Sequence, residues 1–262
     1  MEPEAAMKRK CKVLFCLKIL LYIFTLSLLV WKLSEKEWDH VGLCLLSLAL
    51  YSLPALLARV FHAALPPMLE GICICFAAAA NLGGEVLSLY LSVPLWDSAL
   101  HFIWGVLAAV IGYAMPDLLG RREGFSRALP RAAAAVLAAS FAMLTAVLWE
   151  FVEYAVDLWM HTDMQKDSWV YSIHSVLLQG EGLNKPVSEE IESVLLNGKP
   201  LPAYLDIGLH DTIRDMLWTF AGAIVGSALV LAENSGRFPA RLLNCLKPTP
   251  NPMLHKDGST RK

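Results

Sequence analysis

Six long apolar runs follow one another along the chain, with short polar stretches between most of them. A helix needs about 20 mainly apolar residues to cross the hydrocarbon core of a bilayer, and each run is long enough or nearly so. Pro54 lies within the second run, whereas Pro66 and Pro67 suit the first turn of a helix at the start of the third. We therefore predict six membrane-spanning helices, over about 12–31, 41–61, 66–90, 97–119, 132–159 and 211–232.

Composition agrees with this pattern. The chain has 262 residues, of which 56% are hydrophobic and 18% are charged, and its net charge is -2. Such a chain is too apolar for a water-soluble domain, and nothing in its charge indicates a nucleic-acid partner. We assign the fold class as all-α, a polytopic helical bundle whose first partners are membrane lipids. The first run lacks a small-residue cleavage site, so we predict that it is retained as a span.

The distribution of basic residues predicts an orientation. Lys and Arg concentrate before the first run, after the fourth run and in the C-terminal tail, and such residues favour the cytoplasmic side. We therefore predict that both termini are cytoplasmic and that the long loop 160–210 is outside. Within this loop, Ser188–Leu196 opens with a helix-capping pattern and predicts a short surface helix. The chain thus divides into two N-terminal spans (1–62), a core (63–235) and a disordered cytoplasmic tail (236–262).

The acidic residues are the unusual feature of the apolar runs. Glu150, Glu153 and Asp157 are spaced to share one helix face, and they lie at a helix C-terminus, where negative charge is disfavoured. On the predicted topology, two pairs with a spacing of four residues open the fourth and sixth spans on the same outer side. This pattern predicts one acidic site in the bundle. The predicted ligands are Asp97, His101, Glu150, Glu153, Asp211 and Asp215, with Glu85, Asp157, His161, Asp167, His174 and His210 as further candidates.

Charge balance suggests a metal in this site. So many carboxylates with few bases cannot all be ionised at low dielectric, so either several are protonated or a cation neutralises them. Oxygen ligands with one imidazole suit a divalent ion such as Mg, Ca, Mn, Fe or Zn. The alternative for Asp97 and Asp211 is a simple role at the positive end of a helix, but this does not account for His101 or Asp215, one turn further on.

Three motifs resemble those of the YjdF-like family of bacterial inner-membrane proteins. Trp96–Phe102 is similar to its aromatic-Asp-x-x-x-His-Phe block, Trp149–Tyr154 to its aromatic-Glu-x-x-Glu-aromatic block, and Asp211–Met216 to its Asp-Thr-x-x-Asp-Met block. The matched core covers about 83–226, with some fifty loop residues inserted. The resemblance implies a multi-pass protein of the bacterial cytoplasmic membrane, and it implies no activity.

The chain departs from this family at one position. The family has a further Asp three residues before the last block, and here that position is Gly208. Asp206 is a candidate replacement.

Three functions fit these observations. The first is a metal-dependent hydrolase whose substrate is a lipid or an envelope precursor reached from the bilayer. The second is a cation- or proton-coupled transporter that uses the same acids. The third is a structural or partner-binding membrane subunit, with the acids as a packing network. The sequence leaves open whether the protein is an enzyme.

Overall fold

The fold is a helical membrane bundle, and the six predicted spans are confirmed. The computed structural model describes residues 2–120, 125–179, 182, 184–234 and 245–250. Within these residues, six helical segments are long and apolar enough to cross a membrane: Met7–Glu35, Trp38–Val60, Pro67–Val86, Trp96–Gly120, Arg131–Met160 and Leu209–Glu233.

The described helices and strands follow in a simple order. The helices are α1 (Glu2–Glu35), α2 (Trp38–Leu50), α3 (Leu53–Val60), α4 (Pro67–Ala78), a π-helix (Ala79–Val86), α5 (Leu89–Ser92), α6 (Trp96–Gly120), α7 (Phe125–Ala128), α8 (Arg131–Met160), a 3₁₀ turn (Val176–Leu178) and α9 (Leu209–Asn234). The strands are β1 (Ala63–Ala64), β2 (Ser168–Val170), β3 (Ser172–Ser175), β4 (Val187–Glu190), β5 (Val194–Leu196), β6 (Lys199–Leu201), β7 (Tyr204–Asp206) and β8 (Thr249–Pro250).

The second and third spans are not continuous α-helices. The second is interrupted between α2 and α3, because Pro54 has no N–H to donate and its ring would clash with the carbonyl one turn earlier. The third changes from α4 to a π-helix, in which the N–H of Leu87 reaches back five residues to the carbonyl of Leu82 over 2.9 Å.

Residue contacts divide the chain into two units, the first comprising 1–145 and 218–262 and the second comprising 146–217. The first unit has two core clusters, one with Leu28, Cys44, Leu82 and Val86 and a larger one built mainly from small side chains of α6, α8 and α9. The buried members of the larger cluster include Ala108, Ala109, Val110, Tyr113, Ala134, Ala138, Ala142, Ala223 and Val230.

Large apolar side chains lie on the outside of the first unit. Phe15, Leu20 and Val30 of α1 are 64%, 65% and 67% exposed, and Val136 of α8 is 64% exposed. This distribution, with alanine inside and leucine, valine and phenylalanine outside, is unfavourable in water and suits a lipid environment.

Three glycines bring α6 and α9 into backbone contact. A Cβ on Gly105 would lie 2.2 Å from the carbonyl oxygen of Thr219, and one on Gly222 would lie 2.1 Å from that of Phe102. One turn further along α9, a Cβ on Gly226 would lie 2.7 Å from the Cβ of Ala109. Gly222 and Gly226 of α9 therefore pack directly against α6.

A buried polar cluster ties the C-terminal region to α6. The carboxylate of Asp117 accepts hydrogen bonds from the Ser126 backbone N–H (2.7 Å) and hydroxyl (2.5 Å) and from Lys247 Nζ (3.2 Å). Asp117 and Lys247 are only 4% and 7% exposed, and Lys247 Nζ lies 4.4 Å from the ring centroid of Tyr113. Beyond this cluster, β8 pairs with β1. The rest of the predicted disordered tail, 236–244 and 251–262, lies outside the described residues.

The second unit contains the long loop, and one prediction for it is wrong. Instead of a helix, Ser188–Leu196 forms parts of two antiparallel strand pairs, β3–β4 and β5–β6. The physical reason lies in the turn, since Asn197 and Gly198 have φ values of 52° and 78°. Asn-Gly with two positive φ angles is the two-residue turn that best matches strand twist, and it outweighs the capping pattern.

Candidate metal site

In the first unit, α6 positions Asp97 and His101. Because they are four residues apart, they lie on one face of the helix, and His101 Nε2 is 3.6 Å from Asp97 Oδ1. The other ring nitrogen, Nδ1, is 3.4 Å from the hydroxyl of Thr219 on α9. Thr219 is fully buried. The imidazole is therefore positioned by a carboxylate on its own helix and by a hydroxyl on the helix packed against it.

Thr219 was not among the predicted site residues. Its signal in the sequence is its position, one turn after Asp215 on the same face of α9. The close contact of Gly105 with the Thr219 carbonyl fixes this turn of α9 against α6. The contact between α6 and α9 at Gly105, Gly222 and Gly226, which we call the glycine seam, therefore also sets the environment of His101.

In the second unit, α8 buries two of the predicted acids. Glu150 is 5% exposed and Glu153 is 8% exposed, and Ala146, one turn before Glu150, is 3% exposed. Trp149 Nε1 donates a hydrogen bond to Glu153 Oε1 over 2.6 Å. These carboxylates lie on the buried face of the helix, which is where the spacing predicted them.

Asp157 has a structural role at the end of α8. Its carboxylate accepts hydrogen bonds from the Thr162 hydroxyl (2.7 Å) and from the backbone N–H groups of Met164 (2.6 Å) and Gln165 (2.8 Å). These bonds turn the chain back at the start of the long loop. The Asp157 carboxylate therefore has hydrogen-bond donors from the protein itself.

Asp211 connects the same loop to α9. It is 3% exposed, accepts the Lys166 backbone N–H over 2.8 Å and lies 3.5 Å from the guanidinium of Arg214. Nearby, Gln165 Nε2 donates to the Thr212 hydroxyl over 2.6 Å. Since donors from the loop backbone cannot be read from a sequence, this anchoring role was not foreseen.

Asp215 is the most deeply buried of the predicted ligands, with 1% exposure. It lies one turn after Asp211 on α9. The helix therefore carries an uninterrupted buried face of Asp211, Asp215 and Thr219.

The remaining candidates have different surroundings. Glu85 lies in the π-helix of the first unit, next to Gly84, whose added Cβ would lie 2.1 Å from the Tyr90 ring. In the second unit, His174 lies on β3, where its Nδ1 is 2.7 Å from the Ser188 hydroxyl. The side chains of His161, Asp167, His174 and His210 are all exposed.

Asp167 lies in an acidic part of the loop. Although its side chain is exposed, partial desolvation raises the pKa of its carboxyl, and the charges of Asp163, Asp157 and Asp206 raise it further. Asp206 itself accepts the backbone N–H of His210 over 2.9 Å, at the start of α9. Gly208, between Asp206 and His210, has a φ of +122°, and a Cβ on it would lie 2.7 Å from the Cβ of Gln165. An aspartate at this position would therefore be strained.

Comparison with known protein families identifies the chain. The profile of DUF2238, described as a predicted membrane protein, matches residues 16–235. The chain belongs to the DUF2238 family. No curated protein and no solved structure matches it. The DUF2238 match includes all three motif blocks, the glycine seam and the long loop.

In this DUF2238 member, the predicted acids fall into two groups, according to whether they accept hydrogen bonds from the loop backbone. Asp157 and Asp211 accept backbone N–H groups and hold the loop. Asp97 and His101 in the first unit, and Glu150, Glu153 and Asp215 in the second, are carboxylates and an imidazole on buried or half-buried helix faces. Oxygen donors with one imidazole are suitable ligands for a divalent cation.

Proposed function

We propose that this DUF2238 member is a multi-pass protein of the bacterial cytoplasmic membrane that binds a divalent metal at its outer side. One observation supports the proposal above all. Buried acids occupy the next positions on helix faces whose other buried residues form the apolar core. On α8 the buried positions Ala138, Ala142 and Ala146 lead to Glu150 and Glu153. Core faces are normally apolar, so buried acids there are unusual, and a divalent cation would stabilise their negative charge.

Helix periodicity supports a common location for these ligands. Thr219 is next to His101, and Asp215 precedes Thr219 by one turn of the same helix. We therefore assign Asp97, His101 and Asp215 as the central ligands, two carboxylates and one imidazole of the kind that could hold a metal ion. Glu150 and Glu153 are proposed as the remaining acidic side chains of the site.

The reaction we propose is hydrolysis of an ester or phosphoester in a lipid or envelope precursor. When bound, a divalent metal would polarise the scissile group and make a water more acidic. The residues of the chain would then bind the headgroup and accept the proton of that water, for which Glu150 and Glu153 are the candidates. The exposed apolar side chains around them, Leu148, Phe151 and Val152, suit a substrate that arrives from the bilayer.

The polar residues at the predicted cytoplasmic ends of the spans, away from the proposed metal site, favour an enzyme over a transporter. The described ends of the spans on that side hold the acids Glu70, Asp117 and Glu233. Glu70 is paired with Lys18, and Asp117 is paired with Lys247 and Ser126. Since protein groups neutralise Glu70 and Asp117, these two acids do not supply the polar steps that a continuous ion path requires.

Metal content tests the proposal directly. We expect the purified full-length chain, after equilibration with a mixture of divalent cations, to retain about one equivalent of metal. Elemental mass spectrometry measures this content. His101→Ala and Asp215→Asn each remove a proposed ligand and should weaken metal binding by at least about 100-fold. Residues that only form hydrogen bonds to metal ligands already contribute about 10- to 100-fold to metal affinity. His174→Ala and Asp163→Asn, which alter exposed side chains, are the matched controls and should bind as the parent does.

A parent chain without metal, or equal losses in the control variants, would contradict the proposal. If metal binds but phospholipid vesicles yield no hydrolysis products, the site is retained and the hydrolase assignment is lost. Cation flux into proteoliposomes that disappears in Glu153→Gln would favour the transporter.

The orientation can be tested separately. Ser193 is exposed in the long loop, so Ser193→Cys should react with a membrane-impermeant maleimide in intact cells. Lys262→Cys, in the tail, should react only after the membrane is opened. The reverse pattern would show that the termini are outside.

A further inference from the structure

A long apolar groove runs along the first unit between α1, α4 and α6. Its volume is about 800 Å³, within the range of about 300–1,000 Å³ that is usual for small-molecule sites. Leu14 and Leu17 line the α1 side, and Gly71 and Cys75 line the α4 side. Gly71 allows the close approach, because a Cβ on it would already contact Leu14 at 3.5 Å and Leu17 at 3.6 Å.

The groove extends over roughly the thickness of one leaflet. Its α4 wall runs from Pro67 to Ala79 at the junction with the π-helix, twelve residue steps or ~18 Å at the helical rise. Half of the hydrocarbon core is ~15 Å thick. Leu100 and Ile103 of α6 close the far end. An extended acyl chain therefore matches the groove in both length and polarity.

The near end of the groove is basic. Arg9 and Lys10 line it, one turn before the apolar residues of α1. Both side chains are exposed, and neither forms a salt bridge in the part of the chain that the structure describes. Within the described residues, Lys10 Nζ donates a hydrogen bond to the thiol of Cys245 over 3.3 Å, and a neutral thiol does not cancel its positive charge.

The surrounding sequence increases this positive charge. Lys8 and Lys12 flank Arg9 and Lys10, and no acid occurs between Met7 and Ser34. The acid nearest the groove on α4, Glu70, is neutralised by Lys18. The lining therefore combines an apolar channel with two cations at the end where a lipid headgroup would lie.

We propose that this groove binds one anionic phospholipid, with an acyl chain between α1, α4 and α6 and its phosphate at Arg9 and Lys10. A neutral lipid would fill the channel equally well but would gain little from the two cations, each of which contributes to attraction by an anionic headgroup. The basic end is also the end that the predicted orientation places in the cytoplasmic leaflet, where anionic lipids create a negative surface potential. The inference does not depend on the metal site.

Native mass spectrometry of the full-length chain in detergent tests the proposal. We titrate phosphatidylglycerol and phosphatidylcholine with matched acyl chains and expect one tightly retained phosphatidylglycerol per chain. The double substitution Arg9→Gln/Lys10→Gln should weaken its retention by about 10- to 30-fold, from about 1 kcal/mol for each basic residue. Lys8→Gln/Lys12→Gln removes the same charge from the same helix but outside the lining, and it should weaken retention clearly less than the first pair does, because the field of a charge falls off with distance.

A second pair of variants tests the apolar channel. Cys75 is exposed and lines the groove, so Cys75→Trp should fill it and reduce lipid retention without altering the charge. Leu20→Trp, on an exposed part of α1 outside the groove, should have no effect.

Several results would overturn the assignment. They are equal retention of the two lipids, equal losses in the two charge variants, or retention unaffected by Cys75→Trp. Glycerol phosphate that competes as well as phosphatidylglycerol would show a free phosphate site instead of a lipid site. A dimer that dissociates when the groove is filled would show that a second copy of the chain occupies it.

Discussion

Substitution of Gly105 by alanine is expected to prevent α6 and α9 from packing. The added methyl would lie 2.2 Å from the Thr219 carbonyl oxygen and 2.9 Å from the Ala223 nitrogen. Both are backbone atoms, so no side-chain rotation can relieve the clash, and the helices must separate. Overpacking costs about 1–3 kcal/mol and occasionally more, and we expect at least the upper value here. Size-exclusion chromatography in detergent should show loss of the folded peak, or a lowered thermal midpoint if folded protein remains.

Gly42 provides the matched control. It lies within α2, with no atom within 4 Å of an added Cβ. Alanine in place of glycine in a helix is favourable by about 0.8–1.0 kcal/mol, so Gly42→Ala should leave the midpoint unchanged or raise it. If Gly105→Ala behaved like Gly42→Ala, the close contact of α6 with α9 would be wrong.

Removal of the Lys247 charge is expected to have the second large effect. Lys247→Met would leave the Asp117 carboxylate buried without its cation, although the Ser126 hydrogen bonds would remain. Loss of one partner from a buried ion pair typically lowers the free energy of unfolding by about 3–5 kcal/mol. Reversible unfolding in mixed micelles should show this loss. Lys199→Met, at an exposed position of β6, should change the free energy by less than about 0.5 kcal/mol.

A double variant separates the pair from the rest of the tail. In Asp117→Asn/Lys247→Met both charges are absent, so most of the stability should return. If Lys247→Met alone is as stable as the parent chain, the ion pair does not hold the C-terminal region in place.

Spans and ligand spacing could be predicted from the sequence because each depends on one short-range rule. An apolar run of sufficient length predicts a membrane helix, and a spacing of four residues predicts a shared face, as the 3.6 Å between Asp97 and His101 confirms. The glycines are visible in the sequence, but the helix that each of them approaches is not. A small residue indicates that something approaches closely without indicating what it is.

The sequence failed where a residue's role depends on distant backbone. Asp157 and Asp211 look like the other acids, but Gln165 and Lys166 give them backbone donors. Lys247 lies among proline-rich tail residues, and its role depends on Asp117, 130 positions away. Asn-Gly alone predicts the hairpin of β5 and β6, and this turn outweighs the capping pattern before it.

The glycine seam also has a consequence for synthesis of the chain. Gly105 and Gly222 are separated by 117 residues, and at about 5–20 residues per second a ribosome needs on the order of 10 s to make that length. During this interval the fourth helix is already made, while the surface that it will present to the last helix has no counterpart. Completion of the bundle is therefore a late, single event in biogenesis, and a chain that stops before the last span lacks the partner of its most tightly packed helix.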